Sequence, residues 1–312
     1  MMSVSLVLSP ADLSDPAVAA QFMRVADAAT AVDGYTPFNE QALLDLAAGR
    51  REAYLFLDDS KQKQDKPPKA VGAAAISRGD NAAELDLVIA PKRRGKGFGN
   101  AALGLLLPHL PDEVTAWSHG DHPAARVLAV HNRFVATRTL LHLKLSPLRA
   151  PKAAAKTAVK PDTPDVTIDA FVPGVDDEEW VALNALVFAS HPEQGSITLT
   201  DLADRQAEPW FDAGDFLVAR DAGRMIGYNW LKIDPEDPST GEIYVIGIHP
   251  DAAGQGLGRR LMERGLARLS ERGCTSASLY VEADNTGAVR LYRSLGFTDF
   301  TIDVQYKRLS VK

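Results

Sequence analysis

The sequence predicts an α/β fold in which two tandem domains each contain a central mixed β-sheet flanked by helices. Strand-like and helical segments alternate along the chain, their order repeats in the two halves, and the composition is that of a globular protein. Hydrophobic residues make up 46% of the chain and charged residues 24%, which are ordinary globular values. A single core usually stops growing near ~250–300 residues, so 312 residues indicate two domains of about 150.

The two halves of the chain align with each other. Pairs separated by 159 positions are Pro91 with Pro250, Gly97 with Gly256 and Gly99 with Gly258, and pairs separated by 163 positions are Asp121 with Asp284 and Phe134 with Phe297. One register with a four-residue adjustment therefore relates the halves, which indicates a tandem duplication.

In the first half, short apolar runs predict strands, and apolar residues at three- and four-residue spacing predict helices. A strand and two helices come first, three strands follow in meander order, and a glycine-rich turn then opens a helix. The predicted strands are Ser3–Leu8, Ala53–Leu57, Ala70–Ile76, Glu84–Ala90, Val114–Ser118 and Thr137–Leu145, and the predicted helices are Pro16–Ala31, Glu40–Ala48, Gly97–Leu107 and Pro123–Asn132.

The second half repeats this order, including the glycine-rich turn before its third helix. The predicted strands are Val166–Val172, Phe216–Arg220, Met225–Ile233, Glu242–His249, Ser276–Glu282 and Thr301–Lys307, and the predicted helices are Asp177–Ala189, Leu199–Gln206, Gly256–Glu271 and Thr286–Leu295.

The domain boundary is predicted between the halves, where residues 149–165 are rich in Ala, Lys and Pro. Prolines at 151, 161 and 164 interrupt any helix that the Ala and Lys residues favour. We expect an N-terminal domain at 1–148, a semi-rigid linker at 149–165 and a C-terminal domain at 166–312, with a short surface helix as the alternative for the linker. The polar stretch Asp58–Lys69 is expected to form a mobile hairpin loop.

The charge and cysteine content limit the possible function classes. The net charge of −7 argues against non-specific nucleic-acid binding. One cysteine, Cys274, excludes an internal disulfide and favours a reducing compartment. No apolar run approaches the ~20 residues of a membrane span, and the N-terminus lacks a secretory signal. We expect a cytoplasmic monomer with a small-molecule partner, without nucleic acid or membrane.

The two glycine-rich turns carry the first chemical signal. Their sequences are RGKGFG at residues 94–99 and AGQGLG at residues 253–258. Glycine permits a tight turn, and the unpaired amides at a helix N-terminus attract anions such as a pyrophosphate. The Lys-Ser/Thr pair of a P-loop is absent, and three strands in meander order precede each turn, unlike a Rossmann unit. A plain helix cap is the structural alternative.

The element order and the R/Q-x-x-G-x-G/A turn resemble the GCN5-related N-acetyltransferases, arranged in tandem. Three segments, FASHPEQG at 188–195, WSHGDHPAA at 117–125 and LYVEADNTGAVRLYRSLGF at 279–297, look like the branch of that family that completes mycothiol, an actinobacterial thiol. The resemblance implies acetyl transfer from acetyl-CoA to the cysteinyl amine of 1-D-myo-inositol 2-(L-cysteinylamino)-2-deoxy-α-D-glucopyranoside.

The resemblance also implies where acetyl-CoA binds, through a thioester-contacting strand, the glycine turn and the start of the following helix. The implied positions are Ile246, Gly247, Ile248, Ala253, Gly254, Gln255, Gly256, Leu257, Gly258, Arg259, Asn285, Thr286, Gly287, Ala288, Val289 and Arg290 in the second half, and Leu87, Val88, Ile89, Arg94, Gly95, Lys96, Gly97, Phe98 and Gly99 in the first. Ala253 departs from the family pattern, which prefers Gln or Arg there, so a side-chain contact with the pyrophosphate should be lost.

Two catalytic residues follow from family position. Glu242 is the implied general base for the amine, and Tyr292 is the implied general acid for the leaving thiolate. The structural alternatives are a strand-end surface carboxylate and a helix tyrosine packed on the sheet. Tyr292 aligns with Ala129 at the 163 register, so the first half lacks a phenol there. We therefore expect catalysis in 166–312 and a non-catalytic first half.

The acceptor is rich in hydroxyls and carries an ammonium group, so it requires carboxylates, a lysine and aromatic walls. The matching family positions are Glu40, Glu193, Lys232, Glu242 and Tyr280. No metal is expected, because His119, Asp121 and His122 lack further clustered ligands. Two alternatives stay open: a tandem acetyltransferase for another amine, such as an aminoglycoside or a protein N-terminus, and a non-catalytic acetyl-CoA sensor.

Overall fold

A computed structural model describes residues 5–59, 69–148, 166–189 and 194–309. The predicted linker at 149–165, most of the predicted loop at 58–69 and Glu193 lie outside these described residues.

The contacts between residues divide the chain into two compact units. Unit 1 contains the chain up to Leu141, the short segment Glu282–Asp284 and the residues from Thr301 onward, and unit 2 contains His142–Val281 and Asn285–Phe300. The units therefore do not follow the two sequence halves at the C-terminal end. The reason is strand pairing, because the last strand pairs with a strand of unit 1.

Unit 1 contains a mixed sheet with helices on both faces. Its elements are β1 Leu6–Pro10, α1 Pro16–Asp33, α2 Glu40–Ala47, β2 Glu52–Asp58, β3 Ala70–Arg78, β4 Ala82–Ile89, α3 Phe98–Leu106, β5 Glu113–Ser118, α4 Pro123–His131, the first part of β6 Phe134–Leu145 and the last part of β12 Thr298–Arg308. The strands lie in the order β1-β2-β3-β4-β5-β12-β6. β4 and β5 are parallel, whereas β5 and β12 are antiparallel, with Val304 opposite Ser118.

Two apolar layers cover the faces of this sheet. Phe22 and Val25 of α1 and Leu46 of α2 pack on one face, and Phe98 and Leu106 of α3 pack on the other. Both layers are buried, so the sheet of unit 1 has a hydrophobic core on each side.

Unit 2 repeats the arrangement. Its elements are the end of β6, β7 Thr167–Ala170, α5 Asp177–Val187, α6 Leu199–Gln206, β8 Phe216–Asp221, β9 Arg224–Ile233, β10 Thr240–Ile248, α7 Leu257–Glu271, β11 Ser276–Glu282, α8 Thr286–Ser294 and the start of β12. The strands lie in the order β6-β11-β10-β9-β8-β7. β10 is parallel to β11 and antiparallel to β9.

The core of unit 2 is aromatic on one face of the sheet and aliphatic on the other. Trp180 of α5 packs with Tyr228 and Trp230 of β9, whereas Leu257 and Leu261 of α7 pack on the opposite face. The predicted fold class, a mixed sheet flanked by helices in each of two tandem domains, is thereby confirmed at the level of architecture.

Most predicted elements start and end within a few residues of the observed ones. The first strand is Leu6–Pro10 rather than Ser3–Leu8, and the last strand of each half begins at Phe134 and Thr298 rather than at Thr137 and Thr301. The additional residues of these two strands do not alternate between apolar and polar side chains. The sequence pattern therefore does not predict them as strand, and only their hydrogen bonds to neighbouring strands identify them.

Candidate active site

The parallel strands β10 and β11 separate partway along their length. Residues Thr240–Ile243 pair with Ser276–Leu279, and no β10–β11 pair follows Ile243 in the part of the chain that the structure describes. β10 nevertheless continues and stays paired with β9 as far as Ile248. From Val245 onward one edge of β10 therefore opens toward a gap. The backbone of Ile246–Ile248, implied to contact the thioester, lies along this edge.

β10 contains a β-bulge at this point of separation. The register with β9 shifts between Ile243 and Val245, so Tyr244 is an inserted residue. A Cβ on Gly241 would meet Leu269 of α7, whereas a Cβ on Gly247 would meet Tyr228 in the aromatic layer. Residues six positions apart share a face in a regular strand. The bulge therefore re-aims the strand and turns both Tyr244 and Val245 toward the aromatic layer.

Glu242 lies two residues before the inserted Tyr244, on the aromatic face of the sheet. It lies directly opposite Lys232 of β9 and opposite Ser278 of β11, and directly opposite residues share a face. The Lys232 Nζ lies 4.8 Å from the Trp210 ring centroid and 5.6 Å from that of Tyr244. A carboxylate and an ammonium are thus neighbours at the mouth of the gap.

Tyr280 completes the group of acceptor-binding residues that the structure brings together. It follows Ser278 by two positions on β11, so it shares the face of Glu242 and Lys232. Its side chain is 45% exposed and stacks on His142 with a centroid distance of 4.2 Å. Glu40 is the first residue of α2 in unit 1, and Glu193 lies outside the described residues.

Tyr292 lies on α8. The residue before this helix, Asn285, caps it, because its side chain accepts a hydrogen bond from the Ala288 amide. The phenol is buried and its ring meets Phe297 edge-on at 6.1 Å. Burial raises the pKa of Tyr292 to about 12, because an anionic phenolate is poorly solvated there. The side chain therefore carries its proton at neutral pH.

The second glycine turn fits a bound pyrophosphate. Gly254 and Gly256 have φ angles of 74° and 83°, a left-handed conformation that glycine adopts at low cost. α7 begins directly after Gly256, and no side chain caps its first amides. A Cβ on either glycine would meet nothing within 4 Å. The turn thus offers unpaired amides, the positive end of a helix dipole and open space.

The first glycine turn has the same backbone but a different side-chain environment. Gly97 has a φ of 87° and precedes α3, again without a side-chain cap. Arg94, implied to assist the pyrophosphate, donates from both terminal nitrogens to Asp33 at 2.6 and 2.8 Å and from Nε to the Ile89 carbonyl. Its guanidinium is directed into the protein in this arrangement.

The sequence comparison of the halves missed the residue of unit 1 that corresponds to Glu242, which is Glu84. Glu84 is opposite Thr115 on β5, just as Glu242 is opposite Ser278 on β11, and Thr115 and Ser278 are related by the 163 register. The ungapped 159 register instead aligns Glu242 with Ala83, because it ignores the inserted Tyr244. An alignment with a one-residue gap, which places Glu84-Leu85 opposite Glu242-Ile243, would have shown from the sequence that Glu84 corresponds to Glu242.

Unit 1 ties this equivalent carboxylate into a buried charge network. Arg51, whose side chain is 7% exposed, donates to Glu84 at 2.7 Å and to Asp86 at 2.8 Å. Burial, assisted by Glu84, raises the pKa of Asp86 to about 6. His119 forms a 2.8 Å hydrogen bond with Asp303 in the same unit. β4, unlike β10, pairs with β3 without a register shift.

Three further residues of unit 2 were not singled out from the sequence. They are Trp210 and Tyr244, whose rings flank Lys232, and Arg205, whose Nε donates to the Tyr244 hydroxyl at 3.0 Å. Trp210 and Arg205 occur in segments without a family motif, so no sequence signal distinguished them from core residues.

Neither a membrane span nor a metal cluster is found where the structure describes the chain. None of the described helices is long and apolar enough to cross a membrane, and no described group of three His, Cys, Asp or Glu could hold a metal. Asp121 pairs with Arg126, and the His122 side chain accepts from the Ala124 amide at the start of α4. Cys274 is buried, and burial raises the pKa of its thiol.

This geometry agrees with comparisons to known proteins. The model of the acetyltransferase (GNAT) family matches residues 180–297. Among solved structures, a GCN5-related N-acetyltransferase from Sphaerobacter thermophilus has a TM-score of 0.70 at 20% identity, with 99% of each chain covered. A tandem GNAT protein from the clavulanic acid biosynthesis pathway has a TM-score of 0.69 at 15% identity, covering 97% of this chain and 98% of that one. The fold and the site thus define a tandem GNAT protein.

Relatives with similar sequences identify the branch of the GNAT family to which the chain belongs. Mycothiol acetyltransferase from Clavibacter michiganensis is 42% identical, with 94% of this chain and 92% of that protein covered. The protein of the same name from Thermomonospora curvata is 43% identical, with 95% of each covered. The chain belongs to the mycothiol acetyltransferase branch of the GNAT family of acetyl-CoA-dependent N-acetyltransferases, and the resemblance seen in the sequence is confirmed.

Proposed function

We propose that this protein transfers acetyl from acetyl-CoA to the cysteinyl amine of 1-D-myo-inositol 2-(L-cysteinylamino)-2-deoxy-α-D-glucopyranoside, the last step of mycothiol biosynthesis, in unit 2. The observation that carries the proposal is the separation of β10 from β11 after Ile243, one residue beyond the pair that contains Glu242. That separation leaves a strand edge beside a carboxylate, as acetyl transfer to an amine requires. The name shared by the relatives supports the choice of acceptor.

Acetyl-CoA, when bound, supplies the thioester that the amine attacks. The uncapped amides at the start of α7 would hold its pyrophosphate. The amides along Ile246–Ile248 would donate to the thioester carbonyl, on which negative charge develops as the amine adds. The start of α8, at Asn285–Arg290, would line the outer part of the site. Ala253 leaves the pyrophosphate to backbone donors alone.

Glu242 is proposed to accept the proton from the attacking amine, directly or through one water. An α-amino group has a pKa of about 7.7–8.0, so a carboxylate removes its proton at modest cost near neutral pH. The new C–N bond forms while the C–S bond to CoA breaks. The proton released by nitrogen passes to Glu242, and the electron pair of the broken bond remains on sulfur.

Tyr292 is proposed to assist the departing sulfur. A thiol has a pKa of about 8.5, well below the pKa of about 12 for Tyr292. Complete proton transfer from the phenol to the thiolate is therefore uphill in the protein without its substrates. Tyr292 is therefore proposed to donate a hydrogen bond that strengthens as charge develops on sulfur. CoA leaves as the thiolate and takes its proton from water, while the proton that the amine released to Glu242 returns to water.

The acceptor is proposed to bind on the face that carries Lys232, Glu242 and Tyr280. These side chains supply a cation, an anion and an exposed aromatic surface, which suit a hydroxyl-rich molecule with an ammonium group. Glu40 and Glu193 stay predictions for the same acceptor.

Unit 1 is proposed to be non-catalytic. The position that matches Tyr292 is Ala129, which is buried in α4. The carboxylate that matches Glu242 is Glu84, whose charge Arg51 neutralises. These two positions of unit 1 would then present neither a phenol nor an available base to an acceptor. Whether its glycine turn binds acetyl-CoA is a separate prediction.

The direct test is thiol release from acetyl-CoA with a panel of amines. The panel contains the cysteinyl pseudodisaccharide, an aminoglycoside and a peptide with a free N-terminus. We expect kcat/KM to be highest for the cysteinyl compound. A higher value for another amine would assign the enzyme to that acceptor, and acetyl-CoA binding without turnover of any amine would support the sensor alternative.

The role of Glu242 is tested with Glu242→Gln. We expect activity to fall most at low pH, where the amine most needs help to lose its proton. If the variant keeps both the wild-type activity and its dependence on pH, Glu242 is not the general base. Circular dichroism of the variant confirms that the comparison concerns a folded protein.

A further inference from the structure

Lys232 lies between two aromatic rings on the acceptor face of unit 2. Its Nζ is 4.8 Å from the ring centroid of Trp210 and 5.6 Å from that of Tyr244, both within the range of a cation–π contact. We call Trp210, Tyr244 and Lys232 together the lysine clamp. The clamp lies beside the proposed base, because Lys232 is directly opposite Glu242 in the β9–β10 ladder.

Both rings of the clamp are themselves held in place. The Tyr244 hydroxyl accepts a hydrogen bond from Arg205 Nε at 3.0 Å, and Arg205 in turn donates to the Asp201 carbonyl within α6. Trp210 is buried and packs against Trp230, with 5.7 Å between ring centroids. The clamp is therefore connected to the aromatic core rather than to a mobile surface.

The β-bulge explains why Tyr244 can reach the lysine. In a regular strand the residue next to Val245 would point to the other face, but the inserted Tyr244 packs on the same aromatic layer as Val245. β4 has no such shift, so the corresponding strand of unit 1 has no residue equivalent to Tyr244. The clamp is a feature of the half that carries Glu242 and Tyr292.

We infer that Trp210 and Tyr244 are positioning residues that fix the Lys232 ammonium beside Glu242 and thereby set how the acceptor amine approaches this carboxylate. The inference rests on the proposed function, because it takes Glu242 as the group that meets the amine. A lysine side chain has four flexible carbons and a point charge that can move widely. Two aromatic faces restrict that movement and favour the charged form at one place.

The kinetic test compares clamp variants with a matched control. Trp210→Leu and Tyr244→Leu each remove one ring that faces Lys232. Phe211→Leu removes a ring of the same layer, which packs on Trp230 at 5.9 Å, and leaves both clamp rings in place. We expect kcat/KM for the amine to fall roughly tenfold in each clamp variant, with an unchanged KM for acetyl-CoA. The control should stay within about twofold of the wild type.

Two conservative variants distinguish the effect of the aromatic ring from the effect of the contacts that hold the ring in place. Tyr244→Phe keeps the ring but loses the bond from Arg205, so its effect should lie between wild type and Tyr244→Leu. Trp210→Phe keeps an aromatic face and serves if the leucine variant does not fold. An equal loss of kcat/KM in all these variants and in Phe211→Leu would indicate a general packing effect and overturn the positioning role.

A spectroscopic measurement tests the clamp without reference to catalysis. The NMR signals of the Lys232 ε-methylene, assigned with Lys232→Arg, should be shifted upfield by the two rings in the wild type. They should move toward free-lysine positions in Trp210→Leu and Tyr244→Leu but not in Phe211→Leu. Free-lysine positions in the wild type would overturn the clamp even in an active enzyme. A shifted signal in a protein that acetylates none of the amines would instead contradict the proposed function.

Discussion

Burial of the Tyr292 phenol keeps the phenol protonated and also makes it a poor proton donor. Because the phenol is almost fully desolvated, its pKa rises to about 12. The phenol is then protonated near neutral pH, as the proposed donor to sulfur must be. It is also a weaker acid than the thiol that it would assist, so in the proposed mechanism its contribution comes from hydrogen bonding while the C–S bond breaks.

The Tyr292→Phe variant should lower kcat with little change in the KM for acetyl-CoA. Removal of a general acid typically costs ~10²–10⁴-fold in rate, and we expect the lower end because the phenol is a weak acid. With a pKa of about 12, Tyr292 stays protonated up to roughly pH 11, so any basic limb of the wild-type kcat profile at lower pH should persist in the variant. An unchanged kcat under single-turnover conditions would remove Tyr292 from the mechanism.

The His119–Asp303 pair should make the stability of unit 1 depend on pH. Burial alone lowers the pKa of His119, but the hydrogen bond that the imidazole donates to Asp303 and the negative charges of Asp303, Asp86 and Glu84 outweigh it and raise the pKa above its usual value of 6.5. A group whose pKa is raised on folding stabilises fully below its unfolded pKa, and the gain is lost as pH rises through the folded pKa.

We therefore expect Asp303→Asn to lower the free energy of unfolding by about 1–3 kcal/mol below pH 6.5. The difference from wild type should shrink as the pH rises through the raised pKa of His119. The pKa of Asp86, raised to about 6, changes stability mainly at lower pH and is retained in the variant. Thermal unfolding midpoints at pH 6 and pH 8 provide the measurement. A difference that stays constant across this range would contradict the assigned protonation.

Among the structural elements, the two glycine turns can be compared directly, because their backbone conformations are alike. Gly256 and Gly97 both adopt left-handed φ angles, 83° and 87°, directly before a helix that no side chain caps. A tryptophan at either position would carry a similar backbone strain of about 1–3 kcal/mol. A difference between the two variants in activity therefore reports on the use of the turns rather than on their geometry.

Gly256→Trp should raise the KM for acetyl-CoA sharply or abolish activity, because its side chain enters the space where the pyrophosphate would approach α7. Gly97→Trp should have a smaller effect on turnover, since its half lacks the phenol. Steady-state kinetics and direct CoA binding by calorimetry measure both variants. If Gly97→Trp destroyed acetyl transfer while Gly256→Trp remained normal, with both folded, the active site would lie in the other half.

At the scale of the whole molecule, the end of the chain belongs to unit 1. Residues Val304–Lys307 pair with β5, and Asp303 accepts a hydrogen bond from His119. A protein cut at the predicted linker therefore loses a strand from its first half. The lost strand would leave β5 without this partner and His119 without its carboxylate.

The fragment 1–148 should accordingly be much less stable than unit 1 in the full chain. We expect a low or non-cooperative unfolding transition by circular dichroism. Fusion of residues 298–312 through a flexible linker should restore a cooperative transition. A fragment that unfolds cooperatively without the added strand, at the midpoint of the full-length protein, would show that pairing with β12 contributes little.

Several features of the site could be predicted because they depend on local chemistry. Glycines before a helix, a strand of apolar residues and a tyrosine on an amphipathic helix each leave a short-range pattern, and the structure contains these elements where the sequence indicated them. Lys232, Glu242 and Tyr280 came from the resemblance, and the sheet register brings them to one face.

The tandem repeat, the order of the elements and the family could be recognised from the sequence, because these depend on local periodicity and on motifs that survive in each half. Three features became visible in the folded chain alone: Tyr244 is an inserted residue, Glu84 therefore matches Glu242, and most of the last strand belongs to unit 1. These features depend on which strand pairs with which, in what register. Hydrogen bonds between residues far apart in the chain decide that pairing, and an apolar run of a given length is compatible with several registers.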